Sequence, residues 1–130
     1  VKMINSTTEA IEYFKNIKHS KSYNTCEFID FHYSNPHVFN RYRNYAYAVW
    51  KRGLRKSSSE LIFNRLRWFT TIETNDPLYK LNNNYKPYYA RMLMTVGPFK
   101  ENNFFDLRKS AADDLSNDEL LTLAKLEWVS

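Results

Sequence analysis

Residues that bend, cross-link or anchor a chain are scarce in this sequence of 130 residues. Two glycines and four prolines are too few for a turn-rich all-β fold or a disordered chain. The single cysteine, Cys26, excludes an internal disulfide and a cysteine zinc cluster, and it fits a reducing compartment. No apolar run approaches the roughly 18 residues of a membrane span, and the N-terminus lacks the apolar core of a signal peptide. We therefore expect a cytoplasmic protein with no membrane partner.

Helix signals dominate what is present. A chain of 130 residues has room for one domain and one core but not for two, and its hydrophobic content of 43%, with 17% aromatic residues, is adequate for a globule. Capping patterns, such as the run from Ser57 to Glu60 and the pair Asn35-Pro36, mark helix starts, and Gly53 marks a helix end. The pattern predicts a mainly α fold, a single compact domain over residues 1–130. About five helices are expected, over residues 7–18, 36–52, 58–70, 85–96 and 116–128.

Two further segments have weaker signals. Residues 26–33 mix continuous and alternating apolar positions, so both a short helix and a strand remain open. Residues 70–74 and 78–81 are β-prone and flank a turn-forming Asn-Asp-Pro run, which predicts a small β-hairpin. On the 58–70 helix we place Trp68 in the core, with a contact role as the alternative. We expect Arg65 to snorkel or to pair with an acid.

Positive charge is concentrated in the middle of the chain. The formal net charge is +5, but residues 36–70 hold eight Lys/Arg and one Asp/Glu, whereas residues 101–130 hold three and seven. A basic centre with an acidic C-terminal helix suits a polyanionic partner or an acidic protein patch. The alternative is a solvated face that only keeps the protein in solution.

The order of the predicted elements suggests one way to use this charge. Two helices joined by a short turn and followed by a hairpin give the order of a winged helix-turn-helix, whose second helix enters the major groove of DNA. Asn64 and Arg67, on the exposed face of the second helix, are residue types that read adenine and guanine edges. The hydroxyls at the start of that helix, with the basic strip before it, would meet phosphate. The predicted phosphate contacts are Lys51, Arg52, Arg55, Lys56, Ser57 and Ser58.

A triple asparagine at 82–84 precedes the 85–96 helix. Its simplest interpretation is a turn followed by an N-cap at Asn84, because asparagine tolerates left-handed backbone and bonds to its own main chain. The functional alternative is an amide contact with a base or a phosphate. Lys86 and Arg91 would support that contact, and they complete the candidate nucleic-acid-binding residues.

No pattern in the sequence indicates catalysis or a bound metal. Asp30, His32 and His37 lack the i, i+4 spacing of a helical zinc pair, and no further ligand is evident. Two glycines cannot supply a phosphate-binding loop, and Cys26 in an apolar run is typical of a buried thiol. We therefore expect no enzyme, no metal and no cofactor. A small nuclease is the enzyme class that comes nearest.

Two stretches resemble a group of small, uncharacterised proteins of phages and prophages. They are the Arg-Leu-Arg-Trp run at 65–68 and residues 79–91, in which three asparagines precede Pro-Tyr-Tyr-Ala-Arg. The resemblance covers roughly residues 35–108 and implies a mobile-element setting, in the cytoplasm of a bacterial host, without indicating a chemistry. Small phage proteins often bind DNA, regulate transcription or block a host factor, so the analogy favours binding over catalysis.

The sequence thus predicts a small nucleic-acid-binding accessory or regulatory protein with a basic, helix-turn-helix-like face, and it favours DNA over RNA. The alternative is a protein-binding inhibitor of a host or defence factor that uses the same face and has no catalytic activity. Both hypotheses require the cations of the middle third to lie together in space. The target and the oligomeric state are left open.

Overall fold

The computed structural model describes residues 7–70, 81–101, 104–107 and 109–125. These residues form α-helices and short 3-10 turns, with no strand among them, so the predicted mainly helical fold is confirmed. No helix in these ranges is both long and apolar enough to cross a bilayer. The α-helices are α1 (Thr7–Ile17), α2 (Tyr23–Ser34), α3 (Pro36–Lys51), α4 (Ser59–Trp68), α5 (Lys86–Leu93) and α6 (Asn117–Ala124).

Most predicted helix bounds agree with the structure to within a few residues. The main shift is at α5, where Asn82 rather than Asn84 caps a 3-10 turn over Asn83–Tyr85 that leads into the helix. The helix ends at Leu93, three residues before the predicted end. Two predictions fall outside the described ranges: nearly all of the hairpin at 70–74 and 78–81, and the last residues of the 116–128 helix.

The ambiguous segment at 26–33 lies in a helix, α2. Its cap is Ser22, whose hydroxyl accepts a hydrogen bond from the Thr25 N–H at 3.2 Å. The buried positions 25, 28, 29 and 32 follow the spacing of one helical face, but two of the four are polar, Thr25 and His32. Both polar side chains have a partner in the core: the Thr25 hydroxyl lies 2.8 Å from the Tyr88 hydroxyl, and one ring nitrogen of His32, Nε2, lies 2.5 Å from the Leu123 carbonyl oxygen.

Helices α3 and α4 pack against each other and are joined by residues 52–58. Pro36 occupies the first turn of α3 as predicted, although Asn35 uses its amide to donate to the Phe31 carbonyl at the end of α2 rather than to cap α3. Gly53 has a φ of +92°, which lets the chain reverse after α3 without the steric cost that a side chain would impose. The seven-residue connection is longer than the three to four residues typical of a helix-turn-helix.

Helix α5 lies in the centre of the core. All of its residues from Tyr88 to Leu93 are buried. Tyr88 stacks on Phe28 of α2 with ring centroids 4.6 Å apart, and Tyr89 stacks on Tyr42 of α3 at 5.5 Å. Helices α4 and α6 also pack on α5. This central helix therefore fixes the position of the α3–α4 pair, which carries the candidate site.

Candidate nucleic-acid interface

The predicted basic strip, defined here as Lys51, Arg52, Arg55 and Lys56, lies at the end of α3 and in the connection to α4. All four side chains are exposed. None of them forms an ion pair with a carboxylate among the described residues. The strip thus presents four cations within six positions, and the structure keeps them in solvent.

Within the basic strip, Arg55 is held by contacts of its side chain with Trp50. Its Nη1 donates to the Trp50 carbonyl oxygen at 2.7 Å, and its guanidinium carbon lies 4.0 Å from the centroid of the Trp50 ring. Trp50 in turn packs edge-on against the buried Phe99, with ring centroids 5.9 Å apart. The guanidinium is therefore held in place by the core while it keeps its charge and most of its N–H donors.

Arginine–aromatic contacts recur across the α3–α4 surface. The Arg41 guanidinium lies 3.5 Å from the Phe69 ring centroid. The guanidiniums of Arg65 and Arg67 lie over Tyr45 at 4.8 Å and over Phe63 at 5.2 Å. Arg65 was expected to snorkel or to find an acid; its position over Tyr45 corresponds to a cation–π contact between the two helices.

Three carboxylates of the acidic C-terminal segment have partners in the structure, and none of these partners belongs to the basic strip. Asp113 binds Arg91, with its Oδ1 3.0 Å from the Arg91 Nη2, and Glu119 binds Lys21 at 3.1 Å. Asp114 accepts from the Thr25 hydroxyl at 2.7 Å. These contacts attach the segment to α2 and α5, so the strip is not neutralised by them.

Local hydrogen bonds keep two of these carboxyls ionised. The Ser110 N–H, followed by the Arg91 guanidinium, lowers the pKa of the Asp113 carboxyl. At Glu119 burial works to raise the pKa, but hydrogen bonds from the Ser116 N–H, Lys21 and Tyr13 outweigh it, so the pKa is lowered. In each of the two Ser-x-x-acid capping boxes, Ser110–Asp113 and Ser116–Glu119, the acid therefore both caps its helix and binds a cationic side chain.

A groove of about 530 Å³ opens beside the start of α4. Of the ten predicted site residues, it brings together Ser57, Ser58, Lys86 and Arg91, next to Lys109. Each has a structural contact: the Ser57 N–H donates to the Phe104 carbonyl, and the Ser58 hydroxyl caps α4 by accepting from the backbone N–H groups of residues 60 and 61. The remaining predicted residues lie outside the lining of this groove.

Arg91 and Lys86 are not free cations. Arg91 is only 8% exposed, and its guanidinium donates to Asp113 and to the Pro87 carbonyl. Lys86 Nζ lies 3.9 Å from the Glu60 carboxylate. The prediction of Arg91 as a nucleic-acid contact is corrected by this burial: its charge is used to join α5 to the 3-10 turn over Ala111–Asp114.

The outward side of α4 carries Asn64, which is exposed as predicted, while Arg67 is half-buried over Phe63. Trp68 was expected in the core, and this was wrong: the side chain is 57% exposed. Leu61, one of the other exposed apolar residues, is seven positions earlier on the same helix. The exposure of Trp68 corresponds to the contact role that the sequence offered as the alternative, and no role was predicted for Arg41 from the sequence.

Two of the three residues considered as metal ligands, Asp30 and His32, lie in different environments. His32 is buried against Leu123, whereas Asp30 is exposed and pairs with Lys18. Among the described residues, no three His, Cys, Asp or Glu side chains cluster as metal ligands would.

Comparisons with protein-family models, curated proteins and solved structures found no match for the chain.

Proposed function

We propose that the protein binds nucleic acid, DNA in the first instance, through the surface formed by the basic strip, α4 and Arg41 of α3. The observation that carries the proposal is the way its arginines are held. Arg41, Arg55 and Arg67 lie on aromatic rings, and none forms an ion pair with a described carboxylate. A structural arginine is normally neutralised by an acid, whereas these remain charged and ready for phosphate.

Preorganisation strengthens this argument. An arginine that is ordered only on binding loses side-chain entropy, and this loss offsets part of the gain from each phosphate contact. Arg55 avoids much of that cost because Trp50 already fixes its guanidinium. The exposed Lys51, Arg52 and Lys56 would add charge along the backbone of the bound strand. Each contact releases condensed counterions, so affinity should depend strongly on salt.

The helix-turn-helix form of the proposal remains a hypothesis. In that form α4 enters the major groove, Asn64 reads an adenine edge and Arg67 a guanine edge. The long α3–α4 connection is a departure from the usual motif. The phage or prophage setting is likewise a prediction, which the arginine–tryptophan run at 65–68 suggests.

A second candidate function is a protein contact, as in an inhibitor of a host or defence factor. It is favoured by the exposure of three large apolar side chains, Leu54, Leu61 and Trp68, in the same part of the chain as the arginines. Tryptophan and arginine dominate the residues that contribute most to protein–protein binding. This candidate requires no nucleic acid.

Single substitutions test the proposed function. We expect Arg55→Gln and Arg67→Gln each to weaken binding of a labelled oligonucleotide by on the order of five- to tenfold at about 50 mM salt, because each removes one phosphate contact. The measurement is fluorescence anisotropy. Circular dichroism and melting temperature should confirm that each variant folds, since both arginines pack on rings.

The matched control is Lys15→Gln, which removes an exposed positive charge from α1. It should change affinity by less than about twofold, because a distant exposed charge is screened. Equal affinity of all four proteins at low salt would contradict the proposal. A stoichiometric protein partner that survives nuclease treatment of a lysate, with no oligonucleotide binding, would favour the second candidate instead.

A further inference from the structure

Helix α4 has a second stripe of regularly spaced residues, and it faces solvent. Leu61, Asn64, Arg65 and Trp68 occupy positions i, i+3, i+4 and i+7, which place them on one side of the helix. All four are exposed, with Leu61 58% and Trp68 57% accessible. The buried stripe of Ile62 and Leu66 already attaches α4 to the core. These four residues define the outer stripe, of which Arg65 also contacts Tyr45 of α3.

Three arginines are close to Trp68 along the chain or contact the residue next to it. Arg67 precedes it and lies over Phe63, and Arg65 is one turn earlier over Tyr45. Phe69, the residue that follows Trp68, carries the guanidinium of Arg41 on its ring at 3.5 Å. Arg65 and Arg67 therefore lie within three positions of Trp68 on the same helix and Arg41 contacts the next residue, Phe69, while the single carboxylate of α4, Glu60, is at the opposite end of the helix.

We infer that the outer stripe is a docking surface for single-stranded nucleic acid, with a base stacked on Trp68 and the adjoining phosphates on Arg41 and Arg67. This inference rests on the proposed function and names the form of its ligand. Stacking of a base on an aromatic side chain tolerates any sequence, because every base has a π-face. The stripe from Leu61 to Trp68 is about 10 Å long, which matches on the order of three stacked nucleotides.

The alternative ligand forms fit this surface less well. In a duplex the faces of the bases are already stacked on one another, so only the base edges remain available to a protein. Trp68 cannot make the paired hydrogen bonds that distinguish base edges, because an indole has a single N–H donor. A helix or apolar peptide needs a continuous apolar groove. Here Asn64 and Arg65 separate the two apolar side chains, Leu61 and Trp68, so the apolar surface is interrupted.

The Trp68→Ala variant distinguishes a single-stranded ligand from a duplex. Its binding to each is measured by fluorescence anisotropy at about 50 mM salt. The ligands are oligothymidine and oligouridine of about 12 nucleotides and a duplex of the same length. We expect about a tenfold loss of affinity for both single strands and less than about a twofold loss for the duplex, since stacking is lost only where base faces are free. Trp68→Phe should restore most of the affinity, because it keeps a stacking ring.

The control is Tyr23→Ala, which truncates an aromatic side chain that is 80% exposed on α2. It should leave all three affinities unchanged. An unaltered affinity of Trp68→Ala for single strands, with the expected losses for Arg55→Gln and Arg67→Gln, would overturn this inference and leave the proposed function standing. Absence of binding to every oligonucleotide would overturn both, and Trp68-dependent capture of a protein from nuclease-treated lysate would replace them with a protein contact.

Discussion

Replacing Lys51, Arg52 and Lys56 together by glutamine is expected to lower the affinity for single-stranded DNA by on the order of a hundredfold or more at about 50 mM salt. All three side chains are exposed and form no ion pair with a described residue, so their removal should not affect folding. Arg55 is left in place because Trp50 packs against it. The measurement is a titration of labelled oligonucleotide with each protein.

A charge-matched variant gives the control for this experiment. Replacing the exposed lysines Lys15, Lys100 and Lys125 by glutamine changes the net charge by the same amount at positions outside the basic strip. Its affinity should fall by no more than a few fold, through the long-range field alone. An equal loss in the two triple variants would mean that net charge, and not the strip, determines binding.

The second large effect is a loss of stability in mild acid, caused by His32. Its Nε2 donates to the Leu123 carbonyl at 2.5 Å, in the last turn of α6. Its Nδ1 is buried and has no hydrogen-bond partner among the described residues. Burial lowers the pKa of His32 to about 4, although the hydrogen bond to Leu123 acts in the opposite direction. The folded protein therefore keeps this side chain neutral.

The sign of the effect follows from proton linkage. The unfolded chain takes up a proton near the ordinary histidine pKa of about 6.5, whereas the folded chain does so only near 4. The stabilisation is complete above about pH 6.5 and is lost as the pH falls toward 4, so the free energy of unfolding should drop by about 2 kcal/mol between pH 7.5 and 5. Urea unfolding at a series of pH values measures it.

Histidine variants isolate the group responsible. His32→Gln keeps an amide donor for Leu123 without a titrating ring, so its stability should vary much less between pH 7.5 and 5. His19→Gln, at an exposed position, should retain the drop seen in the parent protein. The acids Asp113 and Glu119 also lose stabilising contacts, but only at lower pH, because their pKa values are lowered. A parent protein with constant stability across this range would contradict the buried neutral His32.

Helix positions followed from local chemistry, so the sequence predicted them well. Pro36 begins α3, Ser58 caps α4 within the predicted serine run, and the Ser116–Glu119 box begins α6. Helix α2 was ambiguous because Thr25 and His32 interrupt its apolar stripe, and their partners Tyr88 and Leu123 are distant in the sequence. Hydropathy cannot show that a polar side chain will be satisfied in a core.

The candidate site likewise has a part that the sequence predicts locally and a part that depends on the fold. The basic strip was predicted from charge alone, because exposed cations need no partner. Arg91 was misassigned since its carboxylate partner, Asp113, lies 22 positions away and only the fold brings the two together. Trp68 was misplaced because a large aromatic residue is normally taken as core, and nothing local shows that Ile62, Phe63 and Leu66 already fill the inner side of α4.

The salt dependence of oligonucleotide binding tests the central claim most directly. If the four cations of the strip together with Arg41 and Arg67 hold about six phosphates, a plot of the logarithm of the single-strand association constant against the logarithm of salt concentration should have a slope of about −4. Affinity that stays constant as salt is raised, or an absence of binding at about 50 mM salt, would contradict a surface built to hold nucleic acid.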